Sequence, residues 1–104
     1  MAESVEPTDA RDLLASGDAV LVDVREPEAF AASHPAGARN VPIGELADRI
    51  AELPADATVL TSCGGGTRGP RAAALLRELG VDARPVRGGL RGWAGAGLPV
   101  DSET

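Results

Sequence analysis

A short apolar segment that ends at the chain's only cysteine and runs into three glycines constrains the fold most strongly. Thr58–Ser62 precede Cys63, Gly64–Gly66 follow it, and an alanine- and leucine-rich run then extends to Leu79. This order predicts a strand, a tight loop and a helix start, with the thiol at the carboxyl end of the strand. Backbone N–H groups of a glycine-rich loop and of a helix N-terminus favour negative charge. We therefore expect a site that stabilises a thiolate, or an anionic adduct, on Cys63.

Strand-like runs alternate with helical patterns along the whole chain, which predicts an α/β fold with a mostly parallel sheet and helices on both faces. The length suits one domain over residues 1–104, with its core over about 5–100. The carboxyl ends of parallel strands share one edge, where ligands bind. We expect strands at 19–22, 38–41, 58–62 and 83–86, helices at 10–15, 26–32, 44–53, 70–79 and 90–96, and a loop at 33–37.

Composition narrows the class of protein. The formal net charge is −6, and all ten basic residues are arginine. This balance argues against a nucleic-acid or anionic-membrane partner, and the lack of lysine and tyrosine suggests a high-GC bacterial source. A single cysteine forbids an intramolecular disulfide and fits a reducing compartment. With no signal-peptide pattern and no membrane-spanning apolar run, we expect a cytoplasmic protein.

The cysteine itself has two interpretations. A lone cysteine at a strand end is more often a small core residue than a nucleophile. A buried inert thiol does not need three glycines beside it, however, and glycine lets successive N–H groups point inward. The helix start and the guanidinium of Arg68 also favour charge on sulfur, and such settings lower a thiol pKa from about 8.5 to roughly 3.5–7.5. The residues therefore favour a reactive thiolate at Cys63.

Four motifs, in order and at matching spacing, resemble those of the single-domain rhodaneses, a family of sulfurtransferases. They are Leu21–Phe30 (LVDVREPEAF), His34–Pro42 (HPAGARNVP), Cys63–Arg68 (CGGGTR), and Gly88-Gly89 followed by Trp93. The resemblance extends over nearly the whole chain. It implies a rhodanese-like three-layer α/β domain.

The resemblance also implies a two-step reaction. The Cys63 thiolate would take a sulfur from thiosulfate or a related small anionic donor, becoming a persulfide, and cyanide, a thiol or a protein acceptor would remove that sulfur. Neither a cofactor nor a metal is implied. The six-residue loop favours sulfur over phosphate, because the related phosphatase loops are one residue longer. The implied persulfide-binding loop consists of Gly64, Gly65, Gly66, Thr67 and Arg68.

One departure from the family's pattern affects the expected function. Sulfurtransferases of this family often carry arginine directly after the cysteine, where this chain has Gly64. One cation for anion capture is thus missing, and we expect Arg87, on the same edge of the sheet, to replace it in part. The departure leaves open an alternative to the enzyme, namely a persulfide-carrying or regulatory module with little turnover of free thiosulfate. Phosphatase or arsenate reductase chemistry is disfavoured by the short loop.

Several polar residues near the predicted edge invite a structural interpretation first. Asp23 and Arg25 are expected to tie a strand end to neighbouring loops through hydrogen bonds and an ion pair, with Glu28 as a candidate partner, and contact with substrate is the alternative. His34 lies in the family's structural loop motif, and a thiolate needs no general base. One cysteine and one histidine do not make a metal site.

Overall fold

The computed structural model describes residues 3–103, which form a central parallel sheet, a small antiparallel ribbon and four α-helices. The sheet order is β3-β1-β4-β5, and the ribbon pairs β2 with β6. The predicted α/β fold is confirmed. The strands are β1 (Ala19–Asp23), β2 (His34–Pro35), β3 (Arg39–Asn40), β4 (Thr58–Ser62), β5 (Ala83–Pro85) and β6 (Val100–Asp101), and the helices are α1 (Pro7–Ala15), α2 (Pro27–Ala32), α3 (Arg68–Glu78) and α4 (Gly89–Gly95).

The two central strands, β1 and β4, bury side chains on both faces of the sheet. Leu21 pairs with Leu60 across the ladder, and their neighbours Val22 and Val59 are turned to the opposite face. All four are at most 1% exposed. Continuous apolar runs of this kind suit a parallel sheet that is covered on both sides. Each fully buried Val or Leu contributes about 1.5–3 kcal/mol of transfer free energy.

Helices cover the sheet unequally. On the Val59 face, α3 packs Ala72, Ala73 and Leu76, which are fully buried at helical spacing. On the Leu60 face, α1 contributes Ala10 and α4 contributes Trp93, whose indole Nε1–H donates to the carbonyl oxygen of Pro99 at 2.6 Å. Cys63 belongs to the core on the α3 face.

The helix predicted over residues 44–53 is wrong. The segment forms two 3-10 turns, Ile43–Glu45 and Ile50–Glu52, joined by a turn centred on residues 46–49. Leu46 and Leu53 are still buried, because a spacing of three and four residues suits tight turns as well as an α-helix. Arg49 pairs with Glu45 at 3.2 Å and Glu52 at 2.9 Å, as on a helix surface.

The loop predicted over residues 33–37 contains a strand instead. His34–Pro35 pairs antiparallel with Val100–Asp101, so the end of the described chain returns to the middle of the sequence. Phe30 is half-buried and stacks on the His34 ring at a centroid distance of 3.8 Å. Two-residue strands have no periodicity of their own, and their pairing depends on the tertiary fold.

Candidate active site

Cys63 lies at the floor of a loop between the end of β4 and the start of α3. The residue is 1% exposed, and the backbone N–H of Gly66 donates to its sulfur at 3.1 Å. Gly66 has a φ of +92°, a conformation that favours glycine and turns its amide toward the thiol. The expected arrangement of a strand, a thiol, a glycine loop and a helix is confirmed.

Two opposing effects act on the pKa of the Cys63 thiol. Burial raises the pKa, whereas backbone N–H groups of Gly69, Arg68, Gly66 and Gly65 lower it, and the net result is a pKa below the ordinary value. The donors come from the glycine loop and the first turn of α3. Partial positive charge from the backbone thus stabilises a thiolate without an acidic or basic side-chain partner.

Helix α4 holds the loop from the other side. The backbone N–H groups of Leu90 and Arg91 donate to the carbonyl oxygens of Cys63 and Gly64, at 2.6 and 3.0 Å. This contact requires Gly89, because a β-carbon there would overlap the carbonyl oxygen of Cys63. The Gly88-Gly89 motif therefore allows the start of α4 to pack directly against the backbone of Cys63 and Gly64.

The first turn of helix α3 is fixed to strand β4 by a buried side chain. The Thr61 hydroxyl donates to the carbonyl oxygen of Gly69 at 2.7 Å. A β-carbon at Gly69 would lie 3.4 Å from the carbonyl oxygen of Thr61, so strand and helix approach closely here. The helix amides that face the thiol are held in place by this contact.

Asp23 and Arg25, predicted at the same edge, form a buried ion pair with each other. Arg25 Nε and Nη2 donate to the two Asp23 carboxylate oxygens at 3.0 and 2.8 Å, and Nη2 also donates to the carbonyl oxygen of Ser33. Their predicted role in tying the strand end to its neighbours is confirmed. The suggested partner Glu28 was wrong, because Asp23 itself pairs with Arg25.

Two arginines near α4 have different surroundings. The exposed Arg87 pairs with Glu6 at 3.2 Å, between the end of β5 and the start of α1. Arg91 has its Nη1 atom 3.7 Å from the point where a β-carbon on Gly65 would lie. The sequence singled out Arg87, and the structure adds a second candidate, because it also places the Arg91 guanidinium beside the loop. Only the docking of α4 on the loop reveals this, since no sequence motif marks Arg91.

The other residues that the sequence singled out lie in the loop, at the start of α3, or in the small antiparallel ribbon. Thr67 and Arg68 are exposed at the start of α3, and Gly64 is half-buried. His34 is 5% exposed, and its Nδ1 atom is 2.8 Å from the carbonyl oxygen of Phe30, a structural contact. Within residues 3–103 there is no group of three His, Cys, Asp or Glu side chains that could hold a metal ion.

Comparison with known proteins decides the family. The family model of the rhodanese-like domain matches residues 6–96. The chain belongs to the rhodanese family. A thiosulfate sulfurtransferase GlpE from Pseudomonas putida is 39% identical over 90 residues, which cover 86% of this rhodanese-like domain and 82% of the relative.

Other relatives carry this domain within longer chains. The HTH-type transcriptional regulator Rv0324 of Mycobacterium tuberculosis is 42% identical over 88 residues, covering 83% of this chain but 39% of the regulator. The crystal structure of a thiosulfate sulfurtransferase from Pseudomonas aeruginosa matches with a TM-score of 0.90 at 28% identity, covering 99% of this chain and 21% of that one. The rhodanese-like domain thus occurs in proteins of more than one architecture.

One observation concerns membranes. No helix formed by residues 3–103 has the length and the hydrophobicity that crossing a bilayer requires. The cytoplasmic location stays a prediction.

Proposed function

We propose that this rhodanese-like domain is a sulfurtransferase that moves a sulfane sulfur from thiosulfate, or a related small anionic donor, to cyanide or a thiol through a persulfide on Cys63. The observation that supports this proposal best is the thiol whose pKa is lowered by the backbone amides of its own loop. The relatives named as thiosulfate sulfurtransferases support it independently.

In the first step the Cys63 thiolate attacks the outer sulfur of thiosulfate. The new Sγ–S bond forms as the sulfur–sulfur bond of the donor breaks, and sulfite leaves with the bonding electron pair. The product is a persulfide anion on Cys63. In the second step the carbon of cyanide attacks the terminal sulfur, thiocyanate leaves, and the Cys63 thiolate is regenerated. A thiol acceptor would leave as its own persulfide, and both acceptors give ping-pong kinetics.

The loop's role in both steps follows from charge. The N–H groups of Gly65, Gly66, Arg68 and Gly69 that favour the thiolate would also favour the terminal sulfur anion of the persulfide. Because these donors belong to the backbone and are fixed by α3 and α4, they need no rearrangement when the charge moves outward by one sulfur. With thiosulfate and cyanide, both steps balance without a proton transfer, so that reaction needs no general base.

The proposal is tested by thiocyanate formation from thiosulfate and cyanide, with Cys63→Ser as the control. We expect steady release with the wild-type protein and none above background with the variant. Circular dichroism and a thermal melt establish that the variant is folded. Equal release by the two proteins, or none by either, would contradict the proposal.

A second candidate, a persulfide carrier or regulatory module, is favoured by Gly64, which leaves the loop without the arginine often found after the cysteine. One relative, moreover, is named as a transcriptional regulator. A β-carbon at Gly64 would meet only Arg25 Cδ, at 3.9 Å, so Gly64→Arg fits the fold. The carrier hypothesis predicts that the wild type forms the persulfide but releases little thiocyanate. It also predicts that Gly64→Arg increases the rate of thiocyanate release. Gly44→Arg, at an open surface position, is the matched control.

A further inference from the structure

The Arg91 guanidinium lies beside Gly65 of the cysteine loop and has no ion-pair partner among the described residues. Arg91 is exposed, and no carboxylate of residues 3–103 forms an ion pair with it. Two other arginines at this edge are paired, Arg25 with Asp23 and Arg87 with Glu6, whereas the exposed Arg68, in the loop itself, forms no ion pair among residues 3–103 either. Arg91 therefore has its hydrogen-bonding capacity free for a ligand.

The backbone of Arg91 is fixed against the loop. Its N–H donates to the carbonyl oxygen of Gly64, and the next residue, Gly92, packs so closely on the carbonyl of Arg87 that a side chain there would overlap it. The side chain then extends beside Gly65, the middle glycine of the loop. A β-carbon on Gly65 would lie in van der Waals contact with the guanidinium, so Arg91 is close beside the exposed middle of the loop.

We propose that Arg91 binds the sulfonate end of the donor while the outer sulfur is presented to Cys63. This inference rests on the proposed sulfurtransferase function and assigns its donor-binding cation. A planar guanidinium donates two parallel hydrogen bonds to oxyanions such as carboxylate and phosphate, and the oxygens of a sulfonate offer the same geometry. The chain as a whole carries a net charge of −6, so a dianionic donor needs a local cation to approach the thiol.

Steady-state kinetics with thiosulfate tests the assignment. We expect Arg91→Gln to raise the KM for thiosulfate roughly tenfold, as loss of a charge-assisted hydrogen bond would. The kcat should be unchanged, because Arg91 orients the donor and does not touch the sulfur that is transferred. Arg91→Lys should recover part of the loss, since it keeps the charge without the planar fork.

Two matched variants make this experiment decisive. Arg77→Gln removes the same charge from the exposed last turn of α3 and should leave the KM unchanged. Arg87→Gln tests the residue that the sequence suggested, and we expect a much smaller change than for Arg91→Gln. If Arg91→Gln and Arg77→Gln have the same KM, or if Arg87→Gln has the larger effect, the assignment is wrong.

A binding measurement separates this inference from the function on which it rests. Thiosulfate is titrated by calorimetry into Cys63→Ser, with and without Arg91→Gln, so that no turnover is involved. We expect the dissociation constant to rise roughly tenfold when Arg91 is replaced. Equal binding overturns the role of Arg91 even if the wild type makes thiocyanate. Binding that depends on Arg91, in a protein that makes no thiocyanate, supports Arg91 while rejecting the enzyme.

Discussion

The carboxyl ends of β1 and β4 are neighbours in the sheet, but side chains stabilise the first and backbone N–H groups line the second. In the parallel ladder, Asp23 pairs with Ser62, so the two strands end side by side at the same edge of the sheet. The end of β1 is held by side chains, with Asp23 and Arg25 buried against each other. The end of β4 is a glycine loop whose backbone amides face the thiol of Cys63.

The difference explains where a ligand can act. After β1, polar groups satisfy one another, and Asn40 Nδ2 donates to the backbone oxygens of Asp23 and Arg25 at 3.1 and 2.9 Å. The Asp23 carboxylate is therefore occupied by Arg25. After β4, several N–H donors converge on one sulfur, an arrangement that favours an anion. The first region stabilises the edge of the sheet, and the second is where we propose that the sulfur transfer takes place.

Breaking the β1 end should have the largest effect on stability. Arg25→Gln leaves the Asp23 carboxylate buried without its partner, which should cost about 3–5 kcal/mol of unfolding free energy. Urea denaturation measures this, with the exposed Arg39→Gln as the control. The double variant Asp23→Asn/Arg25→Gln should lose less than the sum of its parts. A loss no larger than that of Arg39→Gln would show that the pair does not hold the strand end.

The back of the cysteine loop offers a second test. Gly89 has a φ of +57°, and its β-carbon would overlap the carbonyl oxygen of Cys63. Gly17, with a φ of +82°, has nothing nearby. We expect Gly17→Ala to cost about 1–2 kcal/mol from backbone conformation alone, and Gly89→Ala about 3 kcal/mol or more. Only Gly89→Ala should also slow alkylation of Cys63. Equal costs would mean that α4 does not clamp the loop.

The lowered pKa of Cys63 makes a smaller, pH-dependent prediction. Alkylation by iodoacetamide needs the thiolate, so its rate should rise with pH through a midpoint below the ordinary value of about 8.5. The folded protein then releases this proton more readily than the unfolded chain. Relative to Cys63→Ser, the wild type gains stability that is complete above pH about 8.5 and is lost as the pH falls through the folded pKa. A midpoint at or above that value in the folded protein would contradict the stabilisation of the Cys63 thiolate by backbone N–H groups.

The β4 end was also the more predictable of the two regions. The strand Thr58–Ser62, the cysteine loop and the following helix could be predicted because their signals are local: an apolar run, three glycines and an alanine-rich segment. The helix expected over residues 44–53 failed because its apolar spacing suits 3-10 turns equally well. Sequence patterns report the spacing of apolar residues, and they do not show whether backbone hydrogen bonds close as an α-helix or as 3-10 turns.

What the sequence could not show depends on contacts between distant segments. The pairing of β2 with β6 joins residues far apart in the chain. Arg91 belongs to no recognisable motif, and its position beside Gly65 follows from the docking of α4 on the loop. Arg87 could be placed at the correct edge, but its pairing with Glu6 depends on the position of α1.

The mass of the protein after treatment with thiosulfate tests the central claim most directly. Wild type and Cys63→Ser are incubated with thiosulfate under non-reducing conditions, desalted, and analysed intact and after digestion. The account predicts that the wild type gains one sulfur atom, located on Cys63 and removed by cyanide, whereas the variant gains none. No gain in the folded wild type, or an equal gain in Cys63→Ser, would contradict the claim that the loop after β4 carries the transferred sulfur.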